Sequence, residues 1–199
     1  MKNTHKACDN MLSRKGKENL LKQHSVALWL TGLSGSGKSS IAVALERKLE
    51  FSGFLCRILD DDNLYSEINK NAGFSTQNRE VNIRKIAEIT KLFVNSGVII
   101  IAVVKKLDES MRQMAKKIIG DDDFTEIYLS TSIEDCERQE VEGLYPEAHQ
   151  RESENFALSN SPFEAPSRPA IVIDTTDQTI EMCVDDILDI LLPIITEEL

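Results

Sequence analysis

No two cysteines of this 199-residue chain form a CxxC pair: Cys8, Cys56, Cys136 and Cys183 lie far apart. That spacing excludes zinc-finger and thioredoxin-like motifs and leaves buried, reduced thiols, which suit a cytoplasmic location. No run approaches the ~18 consecutive apolar residues of a membrane span, and residues 1–25 are polar, without the apolar stretch of a secretory signal. Positive charge is also scarce. Against 33 Asp and Glu stand 23 Lys and Arg, a formal net charge of −10. The global field repels nucleic acid and anionic membranes, so neither is expected as a partner. An anionic substrate therefore needs a local cationic pocket. Internal repeats and low-complexity tracts are absent, and a 41% hydrophobic content fits one soluble domain of roughly 100–200 residues.

What the chain does carry is Gly32-Leu33-Ser34-Gly35-Ser36-Gly37-Lys38-Ser39, which fills the GxxxxGK[ST] pattern at every fixed position, with a second hydroxyl at Ser40. Val26–Thr31 before it reads as a buried strand and Ile41–Leu45 after it as helix, the context a phosphate-binding loop requires. In such a loop the glycines let backbone N–H groups turn onto phosphate oxygens, and the following helix adds the positive end of its dipole. Lys38 would reach the β and γ phosphates of ATP, and Ser39 would hold Mg²⁺.

Downstream, strands and helices alternate. Strands are expected at Leu55–Asp60, Val98–Val104, Phe124–Ser130 and Ala170–Asp174, and helices over Asn78–Asn95, near Glu109–Ile118 and from about Thr179 to Leu192. This alternation predicts an α/β P-loop NTPase fold, with a five-stranded, mostly parallel sheet and helices on both faces. Ile83, Ile86, Ala87, Thr90, Phe93 and Val94 mark a core-facing helical stripe, and Met182, Val184, Ile187, Leu188, Ile190 and Leu191 a second packing face. Residues 1–25 form an N-terminal extension, either a tail or a flap over the nucleotide, ahead of a kinase domain at 26–199. The polar, proline-bearing stretch at 139–166 is a candidate mobile lid. Just past the second strand, Asp60-Asp61-Asp62-Asn63 puts carboxylates where ligands gather in α/β sheets. There Asp60 or Asp62 can bind Mg²⁺, or accept a proton from an attacking hydroxyl. An acidic helix N-terminus would read the same way.

The ordered stretches Trp29–Ser39, Leu59-Asp60 with Asp62-Asn63, Gly73-Phe74-Ser75, Asn82-Ile83-Arg84, Gly143-Leu144-Tyr145, Asn155-Phe156 and Ser161–Pro166 together resemble the adenylylsulfate kinase family over nearly the whole chain. Met11-Leu12-Ser13-Arg14 resembles that family's N-terminal extension. The resemblance implies transfer of the γ-phosphate of ATP, with Mg²⁺, to the 3′-hydroxyl of adenosine 5′-phosphosulfate. It implies that Phe74 and Phe156 sandwich the acceptor's adenine, that Arg79 and Asn82 hold its phosphosulfate and sugar, and that Asp62 stands beside the 3′-hydroxyl. It also implies a homodimer.

Departures from the family pattern cluster where anions should be held. The family's Asp-Gly-Asp-Asn-x-Arg is here Asp60-Asp61-Asp62-Asn63-Leu64-Tyr65, and Phe-Ile-Ser-Pro is Val104-Lys105-Lys106-Leu107. In the lid, Gln139, Glu142, Pro146, Glu147 and His149 stand at five basic positions. One charge pair at ~4 Å and an effective dielectric near 20 is worth about 4 kcal/mol before screening, so these changes bear on acceptor affinity. Two alternatives stay open: a kinase of the same fold acting on another nucleotide-linked substrate, or a non-catalytic nucleotide-binding paralogue that scaffolds a partner such as a sulfurylase.

Overall fold

Runs of β-branched and leucine side chains, buried on both sides, become the strands of a sheet covered on both faces. The computed structural model describes residues 11–60, 76–105, 107–132, 135–136 and 163–196. Its strands are β1 (Ala27–Gly32), β2 (Cys56–Asp60), β3 (Ile99–Val103), β4 (Phe124–Ser130) and β5 (Ile171–Asp174). Its helices are α1 (Arg14–Leu21), α2 (Lys38–Phe51), α3 (Thr76–Val94), α4 (Glu109–Ile119) and α5 (Ile180–Ile195). The strand order is β2-β3-β1-β4-β5 and every pairing is parallel. Where a mostly parallel sheet was expected, the sheet is wholly so. β1 and β3 are buried at every position, as strands between two helical layers must be.

One face of the sheet, with Leu28, Leu30, Ile101 and Leu129, packs on Leu45 and Leu49 of α2 and Ile187 and Leu191 of α5. The other, with Ala27, Trp29, Ile100 and Ala102, packs on Ile83 and Ala87 of α3 and Met111 and Ala115 of α4. Two expected faces need correction. On α5, Met182 and Ile190 are 52% and 48% exposed, while Cys183 and Ile195 face the core. That helix also runs past Pro193 to Ile195, because burial of Ile195 offsets the hydrogen bond a proline forfeits near a helix end. On α3, Phe93 is part-exposed while the rest of its stripe is buried.

Cys136 and Cys183 are buried free thiols and Cys56 is half-buried; burial, with Glu46 and Glu50 nearby, raises the Cys56 thiol to about 11, so it stays protonated. Cys8 lies outside the described residues, as does the candidate lid up to residue 162. Among the described residues no helix is long and apolar enough to cross a membrane.

The N-terminal extension, read as a tail or a flap, is neither over residues 14–25. Ser13 caps α1 by accepting from the Gly16 N–H, and Arg14 grips Asp123 with its Nη1 and Nη2 at 2.6 and 2.7 Å. Buried Glu18 accepts from Arg14 Nε, Ser25 N–H and Ser25 Oγ. The Gln23 amide donates to the Leu55 and Gly97 carbonyls and accepts from Leu55 N–H. Those partners immediately precede β2, β3 and β4, so α1 is fastened along the amino edge of the sheet, opposite the phosphate loop. Gly97 admits it: a Cβ there would lie 3.1 Å from Leu21 and 3.2 Å from Lys17.

Burial pushes the Glu18 carboxyl up, but the bonds from Ser25 and Arg14 outweigh it and hold it below its ordinary 4.5. A depressed carboxylate stabilises the fold above the unfolded value, and that contribution is lost as pH falls through the folded one. Arg14→Ala should therefore cost about 1–3 kcal/mol, less than a fully buried pair because the guanidinium is part-exposed. Glu18→Gln should flatten the loss of stability below about pH 4.5. Urea unfolding at several pH values measures both. An acid limb unchanged in Glu18→Gln would refute the assignment.

Candidate active site

The turn from β1 into α2 is shaped by glycines at points where a side chain does not fit. A Cβ on Gly32 would stand 2.7 Å from Ser36 Oγ and 2.8 Å from the Leu129 carbonyl, so the loop is seated directly against β4. Gly35 and Gly37 both adopt φ of 81°, the left-handed region that glycine enters without cost, and Gly37 is the N-cap of α2. Left-handed residues among helical ones turn successive N–H groups to one side, forming an anion nest. The first turn of α2 holds no acidic residue of its own and its N-cap makes no side-chain bond, so the positive end of the helix dipole is left to act on the loop.

Lys38 opens α2 and is only 4% exposed. Its ammonium donates to the Gly32 carbonyl at 3.0 Å, to Leu33 at 2.6 Å and to Ser36 Oγ at 3.4 Å. The cation is thereby carried inside the loop that it braces. At the loop's exit, Ser39 Oγ donates to Asp60 Oδ2 at 3.5 Å. The sheet explains this meeting: Asp60 ends β2 level with Val103, and Val103 is level with Leu30 of β1. Leu33, Ser34 and Ser36 line the same turn, with Ser36 buried and Ser40 exposed on α2.

A hydroxyl and a carboxylate are hard oxygen donors of the kind magnesium takes from a protein in kinase sites. The two oxygens stand 3.5 Å apart, wider than the separation of about 2.9 Å between adjacent ligands of an octahedron with 2.0–2.1 Å bonds, so they would draw together on the ion. The residues present fit the ion.

Arg79 and Asn82 are half-buried in the first turns of α3, one helical turn apart. Because α3 follows β2, it begins at the carboxyl edge that also carries the phosphate loop. Lys105, just beyond β3, shares that edge. Asp62, Phe74 and Phe156 lie outside the described residues, as do Tyr65, Lys106, Gln139, Glu142 and Glu147. Periodicity did not single out Thr131 and Thr175, whose buried hydroxyls hydrogen-bond each other just past β4 and β5. Nor did it single out Arg112 and Glu126, a charged pair buried in the layer beneath. The only signal for the threonines is their place immediately after a strand.

Residues 24–174 match the family model described as Adenylylsulphate kinase. The chain belongs to the adenylylsulfate kinase family. An adenylyl-sulfate kinase of Phocaeicola vulgatus is 53% identical over 193 residues, covering 97% of this chain and 95% of the relative. One from Bacteroides thetaiotaomicron is 51% identical over 185 residues, covering 93% and 92%. Among solved structures, the Mycobacterium tuberculosis APS kinase in complex with AMPPNP and APS superposes with a TM-score of 0.74 at 30% identity, covering 85% of this chain and 98% of that one. The adenylylsulfate kinase family and the P-loop fold inferred from the sequence are thus both found.

Within this adenylylsulfate kinase fold, Gly32→Ala should displace the loop from β4, since its new methyl meets a backbone carbonyl that cannot rotate away. We expect ATP affinity, measured calorimetrically, to fall at least roughly tenfold, the worth of one charge-assisted bond or more. Unchanged affinity would show that the loop tolerates the shift.

Proposed function

We propose that the chain transfers the γ-phosphate of ATP to the 3′-hydroxyl of adenosine 5′-phosphosulfate, giving 3′-phosphoadenylylsulfate. The observation that carries this reading is the complete phosphate loop: Lys38 bonded into the Gly32 and Leu33 carbonyls, with the Ser39 and Asp60 oxygens at its mouth. Phosphoryl transfer through a loose transition state asks little of a protein beyond positioning and charge stabilisation. The nest and the α2 dipole hold the triphosphate. Lys38 moves from neutral carbonyl acceptors to anionic phosphate oxygens, which hold an ammonium more strongly.

Ser39 and Asp60, with Asp62, would hold Mg²⁺. Held there, the ion would supply charge neutralisation at the phosphate oxygens. Asp62 accepts the proton of the 3′-hydroxyl. Arg79 and Asn82, at the same edge, hold the acceptor's anionic and ribose groups, and Phe74 and Phe156 stack its adenine. The free thiols of Cys56, Cys136 and Cys183 suit a cytoplasmic setting.

A second reading, transfer to another nucleotide-linked acceptor, draws on Lys105 at the end of β3, where the family pattern has no cation. The two are separated by product formation from ATP and adenylylsulfate in a coupled assay. We expect turnover in the wild type, loss of ATP binding in Lys38→Ala, and in Asp62→Asn a fall in kcat of about 10²–10⁴ with ATP affinity within a few-fold. Undiminished turnover in Asp62→Asn would remove its acid–base role. If acceptor affinity is weakened by the lost cations, Tyr65→Arg and Glu142→Lys should each raise kcat/KM for adenylylsulfate roughly tenfold. A wild type that binds ATP yet is inactive on adenylylsulfate, with both restored variants also inactive, would overturn the substrate assignment.

A further inference from the structure

Lys105 is half-buried just past β3, and strand pairing fixes its level. β3 runs beside β1 with Val103 opposite Leu30, and the pairing continues one step beyond the strand, because the Val104 N–H donates to the Leu30 carbonyl at 3.3 Å. Counted on in the same register, Lys105 is level with Gly32. On its other side β3 runs beside β2, with Val103 opposite Asp60. Lys105 therefore leaves the sheet between the phosphate loop and the carboxylate that Ser39 contacts.

Alternation fixes the face. Ile99, Ile101 and Val103 pack in the cluster that includes α2, while Ile100, Ala102 and Val104 pack in the cluster on the opposite side of the sheet. Successive side chains of a strand point to opposite faces, so Lys105 follows Val103 to the α2 side. The phosphate loop closes onto its helix on that same side. Backbones of neighbouring strands are about 4.8 Å apart, so two lysines flank Gly32. Lys38 has its ammonium 3.0 Å from the Gly32 carbonyl, and Lys105 stands one strand away at the same level.

Phosphate geometry divides the work between them. Lys38 is held inside the loop by the Gly32 and Leu33 carbonyls, where a phosphate-loop lysine meets the β and γ groups. The donor's terminal phosphate is the group nearest the loop mouth, where the Ser39 and Asp60 oxygens stand, and Lys105 borders that same space. The family pattern has isoleucine at this position and cations where this chain has Tyr65 and Glu142. Lys105 is thus a cation gained at a rim where others are lost.

We infer that Lys105 is a second phosphate-binding cation, its ammonium contacting the γ-phosphate of ATP from the β3 side. In the transfer, the bond from the γ-phosphorus to the oxygen bridging to the β-phosphate breaks and a bond to the acceptor's oxygen forms. Charge is spread over the three equatorial oxygens meanwhile, and a fixed cation beside them lowers the barrier. Lys105 keeps its proton throughout, and the proton of the acceptor's hydroxyl goes to the carboxylate assigned to it. The inference rests on ATP as the phosphate donor and is indifferent to the acceptor.

The test compares nucleotides with and without the γ-phosphate. ADP and the non-hydrolysable analogue AMPPNP, each with Mg²⁺, are titrated calorimetrically into full-length wild type, Lys105→Met and Lys105→Arg, with Tm measured on the same samples. Lys105→Met should weaken AMPPNP roughly tenfold or more and ADP less than about twofold, as loss of one charge-assisted bond to the terminal group predicts. Lys105→Arg keeps the charge and should retain most of the preference. Lys105→Gln carries the test if Lys105→Met does not fold. In the coupled assay, kcat should fall about 10²–10³-fold in Lys105→Met. An equal loss for both nucleotides, or none for either, would overturn the inference. So would a change confined to the KM of the acceptor, which would put Lys105 on that substrate instead. Product formation by the wild type from adenylylsulfate tests the acceptor separately, and its absence would overturn that assignment alone.

Discussion

A parallel sheet must carry the chain back to its starting edge after each strand, and that single requirement orders this molecule. All five strands end on one side, so Gly32, Asp60, Val103, Ser130 and Asp174 form a common rim. Helices that follow the strands begin there, and α2 offers its free N–H groups and dipole to the same space. The cation and the hydroxyl of the candidate site come from one strand–helix unit, β1 with α2, and the carboxylate from the end of β2. Register alone brings them together, because β3 lies between β1 and β2 and sets both levels.

The phosphate loop is the point where this order is tightest. Gly32 touches the backbone of β4 so closely that no side chain fits, and Lys38 is bonded back into the loop that precedes it. An acidic protein with a formal charge of −10 must concentrate positive potential locally to hold a polyanion. It does so largely with backbone dipoles and one buried ammonium, which are shielded from the surrounding carboxylates and less subject to screening by salt.

Much of this was legible in the residues. The loop announces itself by fixed spacing, and strands buried on both faces announce themselves as unbroken apolar runs, so the fold class and the loop followed from local pattern. What pattern missed depends on distant partners. α1 reads Arg-Lys-Gly-Lys-Glu-Asn-Leu-Leu, too polar to show an apolar stripe, and its attachment runs from Arg14 to Asp123 across 109 positions. Arg112 looked like any charged residue of an amphipathic helix, since nothing local says that Leu107 and Glu164 will offer it carbonyls in the interior. On α5, the helix expected to about Leu192 runs on past Pro193 to the buried Ile195. Of the residues that the resemblance assigns to the acceptor, Arg79 and Asn82 stand half-buried in the first turns of α3, while Asp62, Phe74 and Phe156 lie outside the described residues.

The seam at the amino edge also joins the first and last helices of the described residues. His24, leaving α1, donates its N–H to the carbonyl of Ile195 at 2.8 Å, so α1 and the end of α5 meet away from the phosphate loop. A surface or second protein covering this seam would therefore leave the mouth of the phosphate loop open.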